Sequence, residues 1–184
     1  MNIMAFRGIL PQIGEDVYIA PSAWIVGDVV IGERSSIWFN AVVRGDDQYV
    51  RIGSDTNIQD NCSLHVYGPR FPLSIGNRVL VGHSAILHGC TVEDECYIGM
   101  GSILLDGCKI GKGSVVAAGA LVAPGFQVPP DSVVVGSPAR IRKKTGESER
   151  AMIAYGWAWY VDCAAEYLRE QKAARQAEAM GLPG

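Results

Sequence analysis

Residues 92–134 read VEDECY IGMGSI LLDGCK IGKGSV VAAGAL VAPGFQ VPPDSV V when divided into sixes. An aliphatic side chain opens every block: Val92, Ile98, Leu104, Ile110, Val116, Val122, Val128 and Val134. A helix repeats every 3.6 residues and an alternating strand every two, so neither produces a strict period of six. The same period extends towards the N-terminus. Ile75, Val81 and Leu87 carry it, with one step a residue short before Val92. A five-residue insertion separates them from Ile52, Ile58 and Leu64, and a three-residue insertion separates those from Ile13, Ile19, Ile25, Ile31, Ile37 and Val43.

The rest of each block has its own grammar. The fourth residue after the aliphatic one is small or β-branched, as at Ala23, Ser35, Ala41, Thr56, Cys62, Ala85, Ser102 and Ala120. The third is often Gly, Asn or Asp: Asp16, Asp28, Asn40, Asp55, Asn61, Gly101, Gly107, Gly113, Gly119 and Gly125. Those types tolerate the positive φ that a tight corner needs. Each block therefore predicts a short strand and a corner, and three blocks make one triangular coil of eighteen residues. Stacked coils place their strands about 4.8 Å apart in parallel sheets, with the aliphatic residues as a continuous inner column. The expected fold class is an all-β coil over residues 1–140, followed by a second segment, 141–184.

That second segment loses the period of six. Thr145, Gly146 and Ser148 predict a break before a helix, and Met152, Ile153, Trp157, Tyr160, Val161, Ala164, Tyr167 and Leu168 recur at helical spacing. The reading is an α-helix packed on the outside of the coil, with a polar, exposed end from Gln171 onward.

Composition narrows the function. Sixteen Lys and Arg against nineteen Asp and Glu give a formal charge of −3 over 184 residues, and no basic run stands out, which argues against a nucleic-acid partner. No stretch approaches about 18 uninterrupted apolar residues, so no membrane span is expected. The first residues lack the apolar core of a signal peptide. Cys62, Cys90, Cys96, Cys108 and Cys163 contain no Cys-x-x-Cys pair, and three occupy the small-residue slot, so they read as packed thiols in a reducing, cytoplasmic setting.

The three histidines carry the chemistry. His65 follows Leu64 and His88 follows Leu87, which lie one full coil apart once the insertion is removed. The two imidazoles therefore stack on one face. Arg44, after Val43, falls in the same column one coil earlier. His83 stands two residues after Val81, on the preceding face and around a corner. A threefold assembly would bring one chain's His83 against its neighbour's His65 and His88, with Gln59 one coil below His83.

The segments Val43-Arg44-Gly45-Asp46, Asn57-Ile58-Gln59-Asp60-Asn61, Leu64-His65-Val66 and Gly82-His83-Ser84-Ala85-Ile86-Leu87-His88-Gly89-Cys90 resemble those of the γ-class carbonic anhydrases, and the likeness extends over the coil, the Gly136-Ser137-Pro138-Ala139 exit and the helix. The resemblance implies a left-handed parallel β-helix of hexapeptide repeats. It also implies a homotrimer with metal sites between subunits, with His65 and His88 from one chain and His83 from the next. Zinc is the usual metal, with iron or cobalt in relatives. Arg44 and Asp46 would form an ion pair at the interface, Gln59 would orient a water, and Tyr155 on the helix would stand near the metal. The implied activity is that of a metal-hydroxide hydratase, the reversible hydration of carbon dioxide to bicarbonate. Three neutral imidazoles with an open fourth position are the ligand set of a catalytic zinc, which lowers the pKa of water to about 7. The chain departs from the family's fast members after His65, where Val66-Tyr67-Gly68-Pro69-Arg70-Phe71-Pro72 holds no carboxylate to carry the proton away, and Asp47 is the nearest. This bears on turnover rather than on metal binding. Two other functions share the repeat: a metal-stapled trimeric scaffold without turnover, and an acyltransferase that uses one histidine as base.

Overall fold

The computed structural model describes residues 2–179. Its parallel β-helix has three faces. The first comprises Asn2–Met4, 24–26, 42–44, Ser63–His65, Ile86–His88, Ile103–Leu104 and Leu121–Val122. The second comprises Gln12–Ile13, 30–31, 50–52, Leu73–Ile75, Thr91–Val92, Lys109–Ile110 and Gln127–Val128. The third comprises Tyr18–Ile19, Ser36–Ile37, Asn57–Ile58, Leu80–Val81, Tyr97–Ile98, Val115–Val116 and Ser132–Val135.

The aliphatic clock supplies the interior as expected. Ile25, Val43, Leu64, Leu87, Leu104 and Val122 are in register down the first face. Ile19, Ile37, Ile58, Val81, Ile98, Val116 and Val134 line up on the third. From Ile19 to Val134 every clock residue is buried. Cys62 and Cys96 fill the small-residue slot, donate to the carbonyls of Gly82 and Gly111, and burial pushes both thiols up to about 12. All five cysteines are free.

Corners turn through the left-handed region at Asp16, Asn40, Asp55, Asn61, Gly101, Gly107, Gly113, Gly119 and Gly125, and also at Arg34, Arg78, Ser84 and Glu95. Asp28 is an exception to the expected pattern. Gly27 takes the positive φ instead, because Trp24–Ile31 and Val42–Ile52 run as continuous paired strands through this corner. The three-residue insertion is absorbed within Val42–Ile52. The five-residue insertion forms a small loop closed by Tyr67 and Phe71.

Past the exit, Arg140–Lys144 pairs antiparallel with Ser132–Val135, so the third sheet crosses residue 140. Helix α1 spans Glu147–Ala179, reaching well into the segment expected as a polar end. Its start is fixed by Glu149, whose carboxylate accepts the Gly146 N–H at 2.8 Å, the return half of a capping box. It lies on the third face, where the rings of Tyr18, Trp38, Tyr160 and Tyr167 pack with centroids 5.1 to 5.4 Å apart. Gly156 permits the close approach: a Cβ there would come within 2.6 Å of Leu80 Cδ2. No helix among the described residues is long and apolar enough to cross a membrane.

Candidate metal centre

The stacked-coil register brings His65 and His88 together. They are partners across adjacent strands of the first face. Period-2 alternation turns both outward, since Leu64 and Leu87 point in. His65 Nδ1 and His88 Nε2 face one another at 3.2 Å. The other nitrogen of each ring meets a carboxylate. His65 Nε2 donates to Asp46 Oδ1 at 3.0 Å, and His88 Nδ1 donates to Asp106 Oδ1 at 2.6 Å.

This arrangement fixes the tautomers of the neutral rings. The nitrogens on the carboxylates carry the hydrogens, so the two that face each other are both acceptors. Two lone pairs at 3.2 Å repel unless a positive centre lies between them. Two imidazole nitrogens on a tetrahedral zinc lie about 3.3 Å apart, from bonds of about 2.0–2.1 Å. The pair thus fits a metal ion, and carboxylates behind ligating histidines are the usual outer shell of such sites.

Arg44 completes the column. Its guanidinium forms an ion pair with Asp46 Oδ2 within the chain, while Asp46 Oδ1 serves His65. Partial burial acts to raise the Asp46 carboxyl, but the hydrogen bonds from His65 and Arg44 outweigh it and hold the group below its ordinary value.

His83 lies at the corner between the third and first faces, with Nδ1 2.8 Å from Asp60 Oδ2. Among the described residues, no group of three His, Cys, Asp or Glu is placed to hold one ion. Gln59 sits one coil below the His83 corner, its N–H bonded to the Val81 carbonyl. It is only 4% exposed, and its Nε2 donates to Asn57 Oδ1 at 3.0 Å. Asn57 Nδ2 is buried without a partner. Tyr155 is 72% exposed on α1, away from the core, and hydrogen-bonds to none of the histidines within the chain. The sequence reading assigned no role to Asp60 or Asp106. The available signal was an Asp two residues beyond a clock position, on a coil adjoining a histidine.

A family model described as bacterial transferase hexapeptide (six repeats) matches residues 11–45 and 89–124. The chain is 51% identical over 138 residues to a Methanocaldococcus jannaschii protein named "Probable carbonic anhydrase", covering 75% of this chain and 86% of that one. The chain belongs to the γ-class carbonic anhydrase-like family. It is also 43% identical over 159 residues to Arabidopsis thaliana "Gamma carbonic anhydrase 2, mitochondrial", covering 84% of this chain but 57% of that relative's length. The chain therefore spans a little under three fifths of that plant protein. A crystal structure of a hexapeptide transferase family protein from Anaplasma phagocytophilum is similar at a TM-score of 0.86 and 35% identity, covering 90% of this chain and 98% of that one. The coil is thus common to proteins named for two chemistries.

Proposed function

We propose that the protein is a carbonic anhydrase that hydrates carbon dioxide reversibly to bicarbonate, working as a homotrimer with zinc at each subunit interface. The observation that carries this reading is the pair of facing acceptor nitrogens on His65 and His88, 3.2 Å apart and each backed by a carboxylate. His83 of a second copy is the third ligand.

The outer surface of the first face supports the assembly. Trp24, Val42 and Ile86 form an exposed apolar column beside Arg44, His65 and His88, continued by the half-buried Ile103 and Leu121. An apolar stripe broken only by Ser63 and flanked by two histidines calls for a protein partner. The His83 corner borders this stripe, so a second copy laid against it would bring His83 towards the pair. Iron or cobalt would suit the same imidazoles.

Each residue then has a task. Asp46 keeps the lone pair of His65 directed at the ligand point. Arg44 keeps Asp46 ionised and oriented. Gln59, anchored by Asn57, holds the attacking water through its remaining amide oxygen. Tyr155, being exposed, can reach a site only on a neighbouring copy. When bound, the metal supplies the acidity that makes water nucleophilic near neutral pH. Proton export falls to Asp47, which is exposed at the start of the insertion region, and this step limits turnover. Five unpaired cysteines suit a reducing compartment, and we place the protein in the cytoplasm.

Subunit mixing tests the assignment. His83→Ala and His65→Ala chains each lack a ligand at every site when alone. Mixed trimers juxtapose an intact His83 with an intact His65–His88 pair at some interfaces, and zinc and carbon dioxide hydration should return there. Mixed trimers that bind no more metal than either parent would refute it.

A further inference from the structure

The metal reading above leaves open how the ring of His88 is held, and the inference here rests on that reading. We propose that Asp106 is the positioning residue for His88, and that Gly89 is glycine so that Asp106 can reach it.

Asp106 comes from the coil after His88. It follows Leu104 by two, at the corner between the first and second faces, where its carbonyl accepts the Gly125 N–H. Below it, the Gly107 N–H donates to the Gly89 carbonyl at 2.8 Å, which stacks the two corners directly. The Asp106 side chain folds down over Gly89 and takes the His88 Nδ1–H at 2.6 Å, the shortest of the three histidine–carboxylate contacts. A Cβ on residue 89 would lie 2.4 Å from Asp106 Oδ1 and 2.6 Å from Phe71 Cβ. Any side chain there would thus push the carboxylate away or displace the loop carrying Phe71. Residue 89 also has φ +52°, which L side chains rarely adopt. Two independent constraints therefore meet at one glycine.

The consequence is local and chemical. With its hydrogen held on Nδ1 by Asp106, His88 must present Nε2 as an acceptor towards His65 Nδ1. Without Asp106, the imidazole is free to rotate about χ2 and to exchange tautomers. The metal-binding form then becomes one of several, and affinity falls by the population lost.

The test measures metal binding, not turnover. Wild-type, Asp106→Ala, Asp106→Asn and Gly89→Ala proteins are titrated with cobalt(II) against a competing chelator, and the visible spectrum of bound cobalt is recorded. Sedimentation and circular dichroism of the metal-free proteins confirm assembly and fold. Asp106→Ala should lose about 10–100-fold in affinity and change the cobalt spectrum. Asp106→Asn, which still accepts the Nδ1–H, should recover part of the affinity, and Gly89→Ala should behave like Asp106→Ala. Asp106→Ala and Asp106→Asn proteins with wild-type affinity and spectrum would overturn the inference while leaving the metal site intact. A wild type that binds no cobalt would overturn the metal reading and this inference together.

Discussion

The first and third faces are built from the same hexads yet meet opposite fates. On the third face the residues preceding the inner column, Tyr18, Ser36, Asn57, Leu80, Val115 and Val133, are buried, and Tyr97 is half-buried. On the first face the same slot holds Trp24, Val42, Ser63 and Ile86, which are exposed, and Ile103 and Leu121, which are half-buried. Helix α1 accounts for the difference, because it covers the third face and leaves the first bare. The apolar side chains of this slot are thus spent on packing within the chain on the third face and left open to solvent on the first. The three histidines stand on the bare face and its border.

The interior common to both faces is the first place to break this picture. Ile98→Ala removes a fully buried inner side chain, and a loss of about 2–5 kcal/mol in denaturant unfolding is expected. A loss below about 1 kcal/mol would mean that the inner column is not one continuous core.

Ile153→Ala strikes only the covered face. Ile153 is 3% exposed between α1 and the coil, and a loss of about 2 kcal/mol is expected, with metal affinity within about twofold of wild type. A large loss of metal would show that the helix serves the site as well as the fold.

Ile86→Lys strikes only the bare face, where Ile86 is 40% exposed. The intrinsic stability of the coil should change by less than about 0.5 kcal/mol. Sedimentation should nevertheless show dissociation to monomers, with metal binding lost in parallel. An intact trimer would place the interface elsewhere.

The smallest effect concerns how α1 is fastened over the third face. Hydrogen bonds from Lys143 and the Gly146 N–H pull the Glu149 carboxyl from 4.5 down to about 2. A carboxyl depressed in the fold contributes stability that is complete above its unfolded value and lost as pH falls towards its folded value. The contribution should therefore fade between about pH 4.5 and pH 2. Glu149→Gln should flatten that part of the stability–pH curve by a small amount, because its partner Lys143 is exposed and solvent screens the pair. Identical acid profiles for the two proteins would show that the cap adds nothing.

The six-residue clock and the His65–His88 stack were legible in the sequence because both are matters of counting. A fixed rise per coil turns eighteen residues plus a known insertion into vertical neighbours. Asp106 escaped that counting. It lies beyond a corner from His88, and whether its side chain bends down over Gly89 depends on corner geometry and on Phe71 arriving from the five-residue insertion. The straight run through the corner at Gly27 was hidden for a similar reason. Asp28 has the right chemistry for a corner, but pairing with Val42–Ile52 settles its conformation.

By itself, then, the sequence determined the coil, its inner column, its stacked histidines and the presence of a following helix, all set by periodicities that act over a few residues or one turn of the solenoid. Only the tertiary structure decided which face the helix covers, which carboxylate holds each histidine, and where Tyr155 points. Those outcomes depend on contacts such as Gln171 with the Ile19 carbonyl, between segments at opposite ends of the chain. Several faces of the coil carry apolar residues that a helix could cover, so the choice falls to the fit of Gly156 against Leu80 and of the Tyr160 and Tyr167 rings against Trp38, which no periodicity records.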